Sequence, residues 1–145
     1  MFTPKRSLVI ICTVLGLIVS ACGSFAPPES CGVGGTAEEA KFAQHFTRME
    51  LVNEATGEPG QPDQEGVPQF APAAQLAIQV ESVDEVSVRA CIQERRGGGK
   101  IAFDQSLTAP QGPGNFSLSS FAPGSYVVRV IVNGILVKNL PFTVK

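Results

Sequence analysis

From Leu76 to the C-terminus the chain keeps returning to one pattern: short stretches in which apolar and polar residues alternate, each closed by residues that favour turns. A period of two puts one set of side chains on a buried face and the other in water, which is the geometry of a strand and not of a helix. Leu76, Ile78 and Val80 alternate with Ala77, Gln79 and Glu81, and Val86, Val88, Ala90 and Ile92 alternate with Ser87, Arg89, Cys91 and Gln93. After Gly97-Gly98-Gly99, Ile101, Phe103 and Gln105 alternate with Ala102, Asp104 and Ser106. Past a break at Pro110 to Gly114, Phe116 and Leu118 alternate with Ser117 and Ser119. Tyr126 to Val132 then leads through Asn133-Gly134 into Ile135 to Val144, and Asn-Gly between apolar runs is the strongest short-range hairpin signal. An earlier stretch, Phe46 to Asn53, reads as a first strand with Thr47, Met49 and Leu51 on one face and Arg48, Glu50 and Val52 on the other. Some seven short strands, punctuated by turns about every 8 to 12 residues, predict an all-β, antiparallel β-sandwich.

The segment Phe121-Ala122-Pro123-Gly124-Ser125-Tyr126, followed by Val128, Val130 and Val132, resembles the corner and penultimate strand of fibronectin type III and other immunoglobulin-like domains. The resemblance spans Phe116 to Lys145 closely and the remainder by strand count. It implies an immunoglobulin-like sandwich with a Pro-Gly turn ahead of a tyrosine whose hydroxyl bonds back to the backbone. The sequence departs from such domains in having no Trp, so the tryptophan typical of immunoglobulin cores is missing.

Upstream of the first strand, Thr36-Ala37-Glu38-Glu39 fits a capping box, and Ala40, Phe42, Ala43 and Phe46 give one or two helical turns an apolar side. Between Glu54 and Pro72 stand Gly57, Gly60, Gly66, Pro59, Pro62, Pro68 and Pro72, with the acids Glu54, Glu58, Asp63 and Glu65 and no base. This stretch is expected to lack regular structure and to be mobile.

The N-terminus carries Lys5 and Arg6, then an apolar run from Leu8 to Val19 broken only by Thr13 and Gly16, then Ser20, Ala21 and Cys22. A charged start and an apolar stretch too short for the roughly 20 residues of a membrane span describe a cleavable signal. Val19-Ser20-Ala21-Cys22 resembles the lipobox of bacterial lipoproteins. The resemblance implies that residues 1–21 are removed as a signal peptide, that the Cys22 thiol carries a diacylglycerol, and that the new amino group is often acylated too. Two or three chains, at about 0.8 kcal/mol per buried CH₂, hold a protein on a membrane where one chain is marginal. In that family an Asp directly after the cysteine commonly marks retention in the inner membrane. Here Gly23 stands in that place, which favours display on the outer leaflet of the cell membrane or on an outer membrane, with the domain outside the cytoplasm. An uncleaved membrane anchor and an ordinary secretory signal cut elsewhere are the competing readings. The expected organisation is a signal over 1–21, a lipidated tether over 22–35 and the sandwich over 36–145.

Cys12 leaves with the signal, so the mature chain keeps Cys31 and Cys91 beside Cys22. Outside the cytoplasm a pair of cysteines reads as a disulfide. Cys91 falls on the outward face of its strand, and Cys31 lies in an irregular segment able to cross that face, so a Cys31–Cys91 bond pinning the tail to the sheet is expected. Such a closure stabilises by roughly 4 kcal/mol in the chain-entropy account. It leaves a free tether of Gly23 to Ser30, with a reach of about 30 Å at roughly 3.3–3.6 Å per residue. Loss of Lys5 and Arg6 takes Lys plus Arg from 11 to nine against 13 Asp plus Glu, a formal charge of −4, which is no nucleic-acid surface.

Catalytic chemistry is hard to assemble from these residues. His45 is the only histidine, no G-x-S-x-G elbow occurs, and Gly97-Gly98-Gly99-Lys100 lacks the spacing and the following helix of a phosphate loop. Arg95, Arg96 and Lys100, around that glycine turn, form a candidate cationic contact site for an acidic partner or a glycan. The acidic stretch 54–72 is its rival. Glu81, Asp84 and Glu85 surround one turn and offer candidate oxygen ligands for calcium, without a fixed ligand spacing. The expectation is a non-enzymatic module, with no cofactor or metal, that binds or spaces a protein or glycan partner. The alternative is an accessory structural subunit of an envelope complex. An exposed sheet edge would also invite strand addition by another chain.

Overall fold

A computed structural model describes residues 30–96 and 99–145. Cys22, the expected signal over 1–21 and the expected tether up to Pro28 and Glu29 lie outside the described residues, as do Gly97 and Gly98. The elements are α1 (Glu39–His45), β1 (Phe46–Asn53), β2 (Gln61–Pro62), β3 (Pro68–Phe70), β4 (Leu76–Ser82), β5 (Val86–Glu94), β6 (Ile101–Ala109), β7 (Gly112–Ser117), β8 (Gly124–Val132) and β9 (Ile135–Val144). They form two sheets, one of order β1-β4-β7 and one of order β2-β3-β9-β8-β5-β6. This is an all-β, immunoglobulin-like sandwich with seven long strands, as expected, and two short ones that the sequence reading lacked. The pairings of the seven long strands are antiparallel, and the short β3 joins β9 in parallel.

The core lies between the sheets. Leu51, Leu76 and Ile78 from the smaller sheet meet Val88, Ile92, Val128, Val130 and Phe142 from the larger. At Tyr126 the expected corner is present: the ring is buried, stacks on Phe142 with centroids 5.1 Å apart, and its hydroxyl donates to the Ala122 carbonyl at 2.8 Å. Asn133 (φ 50°) and Gly134 (φ 78°) turn the β8–β9 hairpin with both residues left-handed, the backbone of a type I′ turn.

A second, smaller core lies on the outer face of the six-stranded sheet. Cys31, Cys91, Ile131 and Leu136 are buried there, with Val33, Ala37 and Ile101 packed against them. Cys91 sits opposite Asp104 on β6 and Arg129 on β8, hence on the face away from the main core, and it is bonded to Cys31 with Cα atoms 5.8 Å apart. Three hydrogen bonds lay the tail across the sheet. Arg89 Nη1 donates to the Cys31 carbonyl (3.1 Å), Asn139 Nδ2 to the Gly35 carbonyl (3.3 Å) and the Glu38 N–H to the Leu136 carbonyl (2.9 Å). Arg89 also grips Asp104 with Nε and Nη2 at 2.8 and 2.7 Å, a two-pronged pair that raises the guanidinium pKa above its ordinary value.

Four local expectations are corrected. The helix starts at Glu39, its N-cap position is Glu38 without a side-chain bond, and Thr36 caps nothing; of the expected apolar side Ala40 and Ala43 are exposed, while Phe42 packs on Phe46. In β1 the register shifts between Phe46 and Arg48, so Phe46 enters the core and Thr47 turns to solvent, where its hydroxyl donates to the Glu81 carbonyl. In β6, Ile92 faces Phe103 while the next residue, Gln93, faces Ile101. That one-residue slip sends Ile101 to the outer core, away from the face of Phe103. Finally, the stretch 54–72 does hold regular structure, because β2 and β3 pair there and Val52 bridges to Pro59. Proline is tolerated at this sheet edge because an edge strand needs only half of its donors.

Candidate functional site

The sequence singled out Arg95, Arg96 and Lys100 and, as a rival, the acidic stretch 54–72. The fold makes the two regions opposite walls of one cleft. On one side β5 ends in Glu94, whose N–H donates to the Lys100 carbonyl (2.8 Å), and the Arg95 N–H donates to the Ser125 carbonyl at the start of β8 (2.8 Å). The backbone beneath Arg95 and Arg96 is thus tied to two neighbours while both side chains stay exposed.

The other wall is the β2–β3 hairpin. Asp63 closes its turn: Oδ1 accepts from the N–H groups of Glu65 (2.8 Å) and Val67 (2.9 Å), and the Asp63 N–H donates to the Val67 carbonyl (2.9 Å). The Val67 bond is the largest influence holding the Asp63 carboxyl below its usual pKa of 3.8, with smaller help from Glu65, Gln69 and Lys145 against an opposing effect of burial. Gly60 is required where the hairpin meets the sheet, since a Cβ there would stand 2.7 Å from the Gln69 carbonyl oxygen and 2.9 Å from Phe70 Cζ. Parallel pairing of Gln69 with Thr143 and Phe70 with Val144 docks the hairpin on β9, and the Lys145 N–H donates to the Phe70 carbonyl at 3.1 Å.

Between these walls lies an open cleft of about 1070 Å³. Arg95, Arg96 and Lys145 line it together with Asp63, Glu65, Gln69, Ser125 and Thr143. Among the described residues no ion pair engages any of the three cations. Of the two carboxylates, Asp63 is occupied by its own turn and Glu65 is exposed. Lys100, grouped with the arginines in the sequence reading, does not line the cleft, and neither do Glu54, which accepts from the Ser117 hydroxyl, or Glu58. Lys145, Ser125 and Thr143 were missed. No local pattern marks them, because the β3–β9 pairing that gathers them joins residues more than 70 positions apart in sequence.

Elsewhere the chemistry is structural. His45 Nδ1 lies 3.2 Å from Asp84 Oδ1, linking the helix end to the β4–β5 turn. Among the described residues no group of three or more His, Cys, Asp and Glu side chains stands ready to hold a metal ion, and Glu81, Asp84 and Glu85 are not gathered into one. A groove on the outer face is lined by Gln93, Arg129, Asn139 and Gly35, where Arg129 donates to Gln93 Oε1 (3.4 Å) and Asn139 Oδ1 (3.2 Å).

No protein-family model and no characterised protein sequence matches the chain. Among solved structures it is similar to parts of two larger enzymes. A β-glucosidase from Listeria innocua aligns at 10% identity and TM-score 0.38 over 67% of this chain and 16% of that one. A β-D-glucoside glucohydrolase from Trichoderma reesei aligns at 12% identity and TM-score 0.36 over 69% and 18%. The chain thus spans under a fifth of the length of either, and likeness at this level says nothing about activity.

Proposed function

We propose that this chain is a lipoprotein of the bacterial cell envelope: residues 1–21 are a signal removed on export, Cys22 carries the lipid, and the sandwich is a non-catalytic module that binds or spaces a protein or glycan partner outside the cytoplasm. The observation that carries the reading is the fastening of the tail. The chain that follows Cys22 is bonded through Cys31 to β5, an interior strand of the larger sheet, nine residues after the proposed lipid site. A tail held to an interior strand by a bond of the kind found in oxidising compartments suits a domain that hangs on its N-terminus. The apolar run ending at Cys22 supplies the address, and among the described residues no helix is long and apolar enough to cross a membrane.

Binding without catalysis is supported by the distribution of reactive groups. The one histidine is bonded to Asp84 at a helix end, and the cleft between the β2–β3 hairpin and the end of β5 gathers Arg95, Arg96 and Lys145 with amides, hydroxyls and the carboxylates of Asp63 and Glu65, a set able to hold a polar ligand. Folds of this kind present loops on a rigid frame, and function resides in what those loops carry.

The test is a comparison of the full-length chain with Cys22→Ser in a lipoprotein-competent bacterial host fed a clickable palmitate. The wild type is expected to take up label and sediment with membranes, and the variant to lose the label. Label retained by the variant, or absent from the wild type, overturns the anchor.

A further inference from the structure

We propose that the cleft between the β2–β3 hairpin and the end of β5 is the binding site of the module and that its ligand is an acidic glycan, a sugar chain bearing carboxylates, held by Arg95, Arg96 and Lys145. The proposal rests on the reading of the sandwich as a binding module and names the ligand class for it. Its first support is charge. Three cations line one cleft without an ion pair among the described residues, against two carboxylates, of which Asp63 stays anionic, accepts backbone N–H groups of its own turn and feels the charge of Lys145. The site therefore keeps positive charge to offer, and a guanidinium presents its donors in a planar fork that matches a carboxylate.

The second support is what surrounds the cations. Gln64, Gln69, Ser125 and Thr143 supply amide and hydroxyl groups suited to sugar hydroxyls, and apolar lining is confined to Pro62 and Val67. A protein partner is normally held by aromatic or aliphatic anchors sunk in desolvated pockets, and this cleft has none. Polar surroundings with exposed cations suit a hydrated anionic sugar chain better than an acidic peptide.

Third, the frame is rigid where it must be. The Arg95 backbone is tied to Ser125, the hairpin is closed by Asp63 and locked over Gly60, and the Lys145 backbone is tied to Phe70, so the main chain that carries the cations is in place before a ligand arrives.

The experiment uses the full-length chain purified in a neutral detergent and titrated calorimetrically with four probes: oligogalacturonate, neutral maltohexaose, poly-glutamate, and phosphatidylglycerol vesicles. Oligogalacturonate is expected to bind, more weakly as salt rises, with at least tenfold preference over the other three. Arg95→Ala with Arg96→Ala is expected to weaken that binding at least tenfold. Both side chains are exposed and make no ion pair among the described residues, so an unchanged melting temperature serves as the control for folding. Glu65→Gln removes the free carboxylate facing the cations and is expected to tighten binding about threefold. No oligogalacturonate binding, equal or better binding of poly-glutamate or vesicles, or indifference to the arginine pair would each overturn the proposal. The intact mass of the same preparation reports lipidation separately, so failure of the anchor and failure of the cleft are read apart.

Discussion

Tyr126 ties the chain's most recognisable motif to its stability. Its ring packs against both Phe121 and Phe142, which also touch each other, and its hydroxyl closes the corner on Ala122. Tyr126→Phe keeps the ring and removes the bond, so a loss of about 1 kcal/mol is expected in urea denaturation. Burial, with a smaller push from Glu94, raises the phenol pKa above 10.0. The unfolded tyrosine therefore ionises first. Stability from this group is full below about pH 10 and is lost as the pH climbs through the folded value. The phenylalanine variant should lack that alkaline loss, and an identical alkaline profile in both proteins would show that the hydroxyl is not buried as described. At this scale the sequence was readable where one residue carries its own signature. Tyr126 after Pro-Gly and Asn133-Gly134 between apolar runs are such cases. Arg95 and Arg96 were legible as cations, but Lys145 was not legible as their neighbour, since nothing near it in sequence says that β9 ends beside β3.

Among the elements, the segment 31–38 behaves as a strap. It covers the outer face of the larger sheet, shields Ile131 and Leu136, and is fixed by Cys31–Cys91 apart from the main core. Replacing both cysteines by alanine is expected to cost roughly 4 kcal/mol in urea denaturation while the sandwich still unfolds cooperatively and Tyr126 stays buried. An unchanged midpoint, or two free thiols in the unreduced wild-type protein by alkylation and mass spectrometry, would contradict the strap. The strands were legible because alternation reports a buried face directly. The bulges at Thr47 and Ile101 were not, because a slip of one residue leaves the local composition unaltered while turning side chains to the other face. The same limit hid β2 and β3. Two- and three-residue strands rich in proline carry no alternation, and their pairing depends on Gly60, the Asp63 turn and a distant β9.

For the molecule as a whole, the strap and the proposed lipid set the geometry. With Cys31 fixed to the sheet, only Gly23 to Ser30 would separate Cys22 from the domain, a reach of about 30 Å at most. The sandwich would then sit close above the bilayer, in reach of surface glycans but with little freedom to search. A formal charge of −2, or −4 if residues 1–21 are removed as proposed, gives no general attraction to anionic lipid, so positive charge in the cleft is a local feature set on an acidic body. Intact mass spectrometry of the protein extracted from its own membrane tests the central claim most directly. The account predicts a mature chain that begins at Cys22 and carries the added mass of two or three acyl chains on that first residue. A mature N-terminus at any other residue, or Cys22 without lipid, would contradict it.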